Sequence, residues 1–149
     1  PDEFERYQWF HDVLGSEYAL ENGYNGDGVK VAVLDTGIRT GHEDFDWSEI
    51  EAVSVTDEND PDDSFTLLGG GHGTNVCGII KGEYDNGLGG HGIAPEADLL
   101  SVKVFSPYDS DSDDSFDSVG AYLDDILEGI NLCIDRGDVD IINMNFEST

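Results

Sequence analysis

The apolar residues of this chain fall into short runs and longer amphipathic stretches. Four runs predict β-strands, at residues 29–34, 50–55, 99–105 and 139–144. The first, third and fourth are nearly continuous, which is typical of strands covered on both faces. The second alternates between apolar and polar residues and is the weaker prediction. A parallel sheet with buried central strands therefore fits the pattern.

Helical spacing occupies much of the remaining chain. It predicts helices within residues 1–23, where Gly15 interrupts the pattern, over 74–81, and over 116–136, where Gly137 ends it. The strand–helix–strand order over 99–144 is that of a βαβ unit. The sequence thus indicates an α/β domain.

Acidic residues dominate the polar positions. Asp and Glu number 34 against 6 Lys and Arg, so the formal net charge of the 149-residue chain is −28. Such a surface repels nucleic acid and anionic membranes, and no apolar run is long enough to span a bilayer. The acids are spread along the chain, so adaptation to high salt is favoured over a merely acidic protein.

The two cysteines and an acidic run are the features that could suggest metal or disulfide chemistry, but neither matches a metal-binding motif. Cys77 and Cys133 match no metal motif and lie among apolar neighbours, which predicts buried free thiols, although one bridge between them stays open. The acidic run from 109 resembles an EF-hand, but Asp114 stands at the glycine position and Gly120 at the glutamate position. A solvated loop is therefore expected there.

Asp35 and His72 are the candidate chemical groups. Asp35 ends the first strand, and ligands of parallel α/β sheets bind at the carboxyl ends of strands. His72 stands between Gly71 and Gly73, and its imidazole titrates near neutrality, which suits proton transfer. Alone, Asp35 would be a turn or capping residue and His72 an ordinary residue of the Gly-rich loop 69–73. Together, Asp35 and His72 are candidates for an acid–base pair.

Four segments together resemble the subtilisin-like serine peptidases, the subtilases. The sequence GDGVKVAVLDTGI at 26–38 is similar to the aspartate motif of the family, and GHGTNVCG at 71–78 to its histidine motif. Residues 92–104 resemble the loop and strand behind the substrate cleft, and residues 140–146 the strand that lines the specificity pocket. The resemblance implies a three-layer αβα fold with a mostly parallel, doubly wound sheet. It also implies that residues 1–149 are the N-terminal portion of one peptidase domain, incomplete in this chain.

The resemblance implies a serine endopeptidase with an Asp-His-Ser triad. His72 would be the general base, Asp35 would orient it, and the serine would lie beyond residue 149, so the segment alone is expected to be inactive. Asn75 replaces a non-catalytic histidine of the motif. Asn145, Phe146 and Glu147 occupy the segment that binds substrate backbone, where Glu147 replaces a glycine.

Further expectations follow from the family. Asp44 resembles a calcium-binding carboxylate, with Glu83 and Asp85 of the loop 83–87 as its partners, although two solvated acidic loops explain these residues equally well. No organic cofactor is expected. Protein or peptide substrates, an N-terminal propeptide and an extracellular location are implied by the resemblance, and the charge adds a halophilic source.

Two other classes of function are compatible with parts of the pattern. One is a subtilase-like binding domain that keeps Asp35 and His72 but has no nucleophile. The other is a nucleotide-binding domain, which gains little support because the phosphate-binding pattern GxxxxGK[ST] is absent. A serine motif encoded after residue 149 separates the enzyme from the binding domain.

Overall fold

A parallel four-stranded sheet forms the centre of the computed structural model, which describes residues 2–63, 71–108 and 118–146. Its strands are β1 (Lys30–Asp35), β2 (Ile50–Ser54), β3 (Asp98–Lys103) and β6 (Ile141–Asn143). Their order is β2-β3-β1-β6, and each pairing is parallel. The four predicted strands are thereby confirmed.

Alternate residues of β1 pack into two separate hydrophobic clusters, one on each face of the sheet. Val31 and Val33 pack on one face with Val76 and Cys77 of helix α3 (His72–Lys81). On the other face, Ala32 and Leu34 belong to the cluster that contains Cys133 of helix α4 (Leu123–Arg136). Helices on both faces make a three-layer αβα arrangement and explain why the β1 sequence is apolar at successive positions.

The two cysteines lie in different layers. Cys77 and Cys133 are both free and buried, on opposite faces of the sheet. Burial raises the pKa of each thiol, which keeps it protonated and unreactive. The prediction of buried free thiols is confirmed, and the alternative of a bridge between them is wrong.

The N-terminal segment folds as predicted around Gly15. Helices α1 (Phe10–Leu14) and α2 (Ser16–Glu21) meet there, at a glycine with φ of 71°. Short 3-10 turns occur at Glu5–Tyr7 and Trp47–Glu49. None of the helices in the described ranges is long and apolar enough to cross a membrane.

The predicted helix over 116–136 is wrong at its start. Strand β5 (Ser118–Gly120) pairs antiparallel with β4 (Ser106–Tyr108), and α4 begins only at Leu123. Val119 has helical spacing but pairs with Pro107 in this hairpin. The end of α4 before Gly137, at a φ of 69°, is as predicted. Residues 109–117, which include the predicted acidic loop, lie outside the described residues.

The fourth strand is less buried than its apolar run predicts. Among the described strands, β6 pairs with β1 alone, and Ile141 is exposed. On α4, Ile126, Ile130 and Cys133 pack on the sheet, whereas Leu127 and Ile134 remain exposed. The apolar stripe of α4 is thus wider than the surface that these four strands offer.

Two buried histidines join the N-terminal helices to the loop before β3. The rings of His11 and His91 stack with centroids 4.1 Å apart. His11 bonds through Nδ1 to the hydroxyl of Ser16 and through Nε2 to the carbonyl of His91. Burial, followed by the neighbouring His91, lowers the pKa of His11, while Glu17 and Glu5 act weakly in the opposite sense.

This arrangement predicts a loss of stability in mild acid. A histidine with a lowered native pKa binds fewer protons folded than unfolded, so the free energy of unfolding decreases as the pH falls below about 6.5. Thermal melts of the full-length protein between pH 7.5 and 5.5 should show a decreasing Tm. The decrease should be smaller in His11→Gln. An equal decrease in both proteins would contradict the assignment to His11.

Candidate active site

Asp35 lies at the carboxyl end of β1, between the neighbouring strands β3 and β6. Its side chain is 2% exposed. The atom Oδ1 accepts hydrogen bonds from the Thr36 amide at 2.7 Å and from Nδ1 of His72 at 2.8 Å. The two candidate residues, 37 positions apart in the sequence, are therefore brought into direct contact.

Glycines on both sides of His72 allow this contact. Gly71 precedes α3 with φ of 92°, a conformation that L side chains rarely adopt. A methyl group at Gly73 would collide with the carbonyl oxygen of Gly37 and lie 3.1 Å from Oδ1 of Asp35. The predicted Gly-rich surroundings of His72 thus have a steric cause. The glycines at 69 and 70 lie outside the described residues.

The hydrogen bond to Asp35 fixes the tautomer of His72. An ionised carboxylate only accepts hydrogen bonds, so Nδ1 of His72 carries the proton and Nε2 carries the free electron pair. The His72 side chain is 52% exposed, in contrast to the buried Asp35. The arrangement presents a proton acceptor at the surface that is backed by a buried negative charge.

Asp63 belongs to this site, although the sequence offered no reason to single it out. Its carboxylate accepts bonds from Thr36 Oγ1, from the Gly71 amide, and from both the amide and the hydroxyl of Thr74. In the sequence it is one acid in the run 57–63. The available signal was that the residue before α3 is Gly71, which cannot cap a helix with a side chain of its own.

The predicted substrate segment follows β6. Asn145 is exposed there, while the ring of Phe146 packs edge-on against Phe105 with centroids 5.4 Å apart. Phe146 thus contributes to the core as well. Glu147 lies outside the described residues. Asn75 is exposed on α3, where its backbone amide donates to the Gly71 carbonyl.

The three predicted metal ligands do not form one cluster. Asp44 is half-buried, whereas Glu83 and Asp85 are exposed. The Glu83 amide donates to the Asp44 carbonyl, which does connect the two predicted loops. Within the described ranges, no group of three or more acidic, histidine or cysteine side chains could hold a metal ion.

A different carboxylate lies near Asp44. Asp2 is buried and accepts hydrogen bonds from the amides of Asp85 and Gly87. Burial raises the pKa of Asp44, and the negative charge of Asp2 raises it further, against the opposing hydrogen bond from Asn86. Two adjacent desolvated carboxylates beside a loop rich in carbonyl groups fit the oxygen donor set of a hard divalent cation.

Known proteins resemble this chain over most of its length. The intracellular serine protease of Paenibacillus polymyxa is 41% identical over 128 residues, which is 85% of this chain and 35% of that protein. The minor extracellular protease Epr of Bacillus subtilis is 36% identical over 99% of this chain and 20% of its own length. The chain therefore spans about a third or less of these two relatives.

Solved structures share the fold. MycP1 with its N-terminal propeptide removed superposes with a TM-score of 0.64 at 24% identity, over 91% of this chain and 36% of that one. The CspB protease of Clostridium perfringens gives 0.61 at 20% identity, over 87% and 31%. The Peptidase S8 profile matches residues 26–147, which include both Asp35 and His72. This chain belongs to the subtilase family.

Proposed function

We propose that the protein is a serine endopeptidase in which His72 is the general base and Asp35 orients it. The observation that carries the proposal is the 2.8 Å hydrogen bond between Nδ1 of His72 and Oδ1 of Asp35, in a chain of the subtilase family. The buried Asp35 carboxylate stabilises the imidazolium that forms when Nε2 takes a proton. The relatives named as serine proteases support the same reaction class.

The nucleophile of this proposal is a serine encoded after residue 149. Nε2 of His72 removes the proton of its hydroxyl, which then attacks the peptide carbonyl, and the same nitrogen later returns the proton to the leaving amine. The backbone of the segment 145–147 would hold the extended substrate. This chain covers only 35% and 20% of these two relatives, and the serine is proposed to lie in the part of the protein that corresponds to the remainder.

We further propose a structural calcium ion between the N-terminal segment and the loop 83–90. Asp44 and Asp2 are the side chains that would hold it, in place of the exposed Glu83 and Asp85 carboxylates. When bound, the ion supplies positive charge to two carboxylates that otherwise repel each other. It would thereby tie the N-terminus to the domain.

We also propose that the surface is adapted to high salt, as in proteins of halophiles. Besides the net charge of −28, the location of the lysines supports this. Lys81 and Lys103 are 2% and 0% exposed, and the side chain of Lys30 is 16% exposed. The acidic exterior therefore carries almost no ammonium groups, and its self-repulsion decreases when salt shortens the screening length to about 3 Å at 1 M.

Protein or peptide substrates, a propeptide and secretion complete the proposal. An extracellular relative and a structural neighbour with an N-terminal propeptide support the last two, whereas other relatives are intracellular. The charge argues against binding of nucleic acid or anionic membranes.

The triad predicts a graded loss of activity in the full-length protein. His72→Ala should lower kcat by about 10⁶-fold and Asp35→Ala by about 10⁴-fold, the order of loss known for subtilisin, because the base matters more than the group that orients it. Peptide hydrolysis and labelling by a fluorophosphonate probe measure both effects. Asn75→Ala, on the same helix but outside the proton path, is the matched control.

Full activity in Asp35→Ala would refute the triad. Undiminished probe labelling in His72→Ala would remove His72 as the base. A wild-type protein that neither cleaves peptides nor reacts with the probe would support the non-catalytic binding domain instead.

Calcium should raise the Tm of the full-length protein. Binding to the folded state alone adds about 2.7 kcal/mol of stability at a free concentration 100 times Kd. Melts in about 5 mM CaCl₂ and in EDTA should differ for the wild type and for Asp27→Asn, an exposed control. They should coincide for Asp44→Asn. A calcium-dependent shift that survives in Asp44→Asn would exclude this donor set.

Low salt should unfold the full-length protein reversibly. Its far-UV circular dichroism should decrease on dialysis from about 3 M to about 0.05 M NaCl and recover on return, because repulsion among exposed carboxylates is then unscreened. KCl should act like NaCl at equal ionic strength. A spectrum that stays constant over this range would contradict salt adaptation.

A further inference from the structure

The Asp63 carboxylate is the most fully bonded acidic group beside the candidate site. It is 3% exposed. Oδ1 accepts from Thr36 Oγ1 at 2.9 Å and from the Gly71 amide at 3.0 Å, and Oδ2 accepts from the amide and hydroxyl of Thr74 at 3.0 and 2.6 Å. Four donors directed at one buried carboxylate are what an ionised acceptor requires.

The donors come from both sides of the Asp35–His72 contact. Thr36 directly follows Asp35, while Gly71 and Thr74 belong to the start of α3, beside His72. Thr36 Oγ1 also accepts a hydrogen bond from the Gly73 amide at 2.9 Å. Asp63 thus connects the residue after the aspartate with the residues on both sides of the histidine.

The backbone around Asp63 is itself held against the end of β1. Its amide donates to the Ile38 carbonyl, and the Ile38 amide donates to the Pro61 carbonyl. A methyl group at Gly37 would collide with that same Pro61 carbonyl, so the two segments are in close contact. Because its own backbone is fixed, the carboxylate can transmit position to the groups that it binds.

Helix capping alone does not explain these contacts. A carboxylate beside the first turn of α3 satisfies free amides and interacts favourably with the helix dipole. That role accounts for the bonds from Gly71 and Thr74. It does not account for the bond from Thr36, which lies on the strand side of the site.

We infer that Asp63 is a positioning residue that holds the end of β1 and the start of α3 in the register at which His72 bonds to Asp35. The inference rests on the proposed peptidase activity only for its kinetic consequence. Misplacement of the base by about 1 Å can cost about 10²-fold in rate. Loss of Asp63 should therefore lower kcat more than it changes KM.

Three variants of the full-length protein test this role. Asp63→Asn keeps the shape of the side chain, but its amide nitrogen cannot accept from two of the four donors. Thr36→Val removes the hydroxyl that donates to Asp63 and accepts from the Gly73 amide, and it leaves the bonds from Gly71 and Thr74 to Asp63 possible. Thr36→Ser retains the hydroxyl. Asp62→Asn is the matched control, since Asp62 is the adjacent aspartate and accepts from the Thr40 amide and hydroxyl.

Two readouts are needed, one of which does not depend on catalysis. The first is peptide hydrolysis, where Asp63→Asn and Thr36→Val should lower kcat by roughly 10- to 100-fold with KM within about twofold. Thr36→Ser and Asp62→Asn should stay near wild type. The second is the low-field proton resonance of His72 Nδ1–H, which should be shifted or lost in the first two variants and retained in the others.

The outcomes separate this inference from the proposed function. If the wild type is inactive, the peptidase proposal fails, and the Nδ1–H resonance still decides on the role of Asp63. If Thr36→Val keeps both kcat and the resonance, Asp63 is only a helix cap and the inference is overturned. If Asp63→Asn fails to fold, Thr36→Val and Thr36→Ser still test the inference, because wild-type kcat and an unchanged resonance in Thr36→Val overturn it.

Discussion

The burial of the Asp35 carboxylate is the constraint on which the rest of the site depends. A buried anion is costly unless donors compensate it, and here the Thr36 amide and the His72 imidazole both donate to Oδ1, while Oδ2 has no partner among the described residues. The hydrogen bond from His72 to Asp35 fixes the start of α3 against the end of β1. The same contact limits Gly73 to a glycine, because any side chain would separate the two elements. Packing and electrostatics therefore select one arrangement of the two motifs.

Sequence patterns predicted the sheet because β1 is buried on both faces and so is apolar at its four central positions, Val31 to Leu34. They also singled out Asp35 and His72, because the two motifs together resemble those of the subtilases, and the structure brings these two side chains into contact. The hairpin of β4 and β5 was missed since Val119 fits a helical period as well as a strand. Only the long-range pairing with Pro107 distinguishes the two, and no local pattern carries that information.

Asp63 and Asp2 were missed for a related reason. Each is one acid in a chain with 34 acidic residues, so neither can be distinguished from the others by the sequence alone. Their environments differ from those of the other acids only through contacts made in three dimensions: amides of the loop 83–90 for Asp2, and donors from two motifs for Asp63. By contrast, Glu83 and Asp85 have the expected residue type and sequence position, but both residues are exposed.

Two of the three lysines of this acidic chain lie in its interior. Lys81 donates from the interior to the Pro95 carbonyl and to Glu49, and Lys103 to the Asp62 carbonyl beside the site. Ions in solution screen buried charges much less than exposed ones. Salt at molar concentration therefore weakens repulsion among the surface carboxylates and leaves these interior contacts in place. Lys103 binds the segment that carries Asp63, so on the proposed role of Asp63 this buried charge, which salt reaches little, supports the contact between Asp35 and His72.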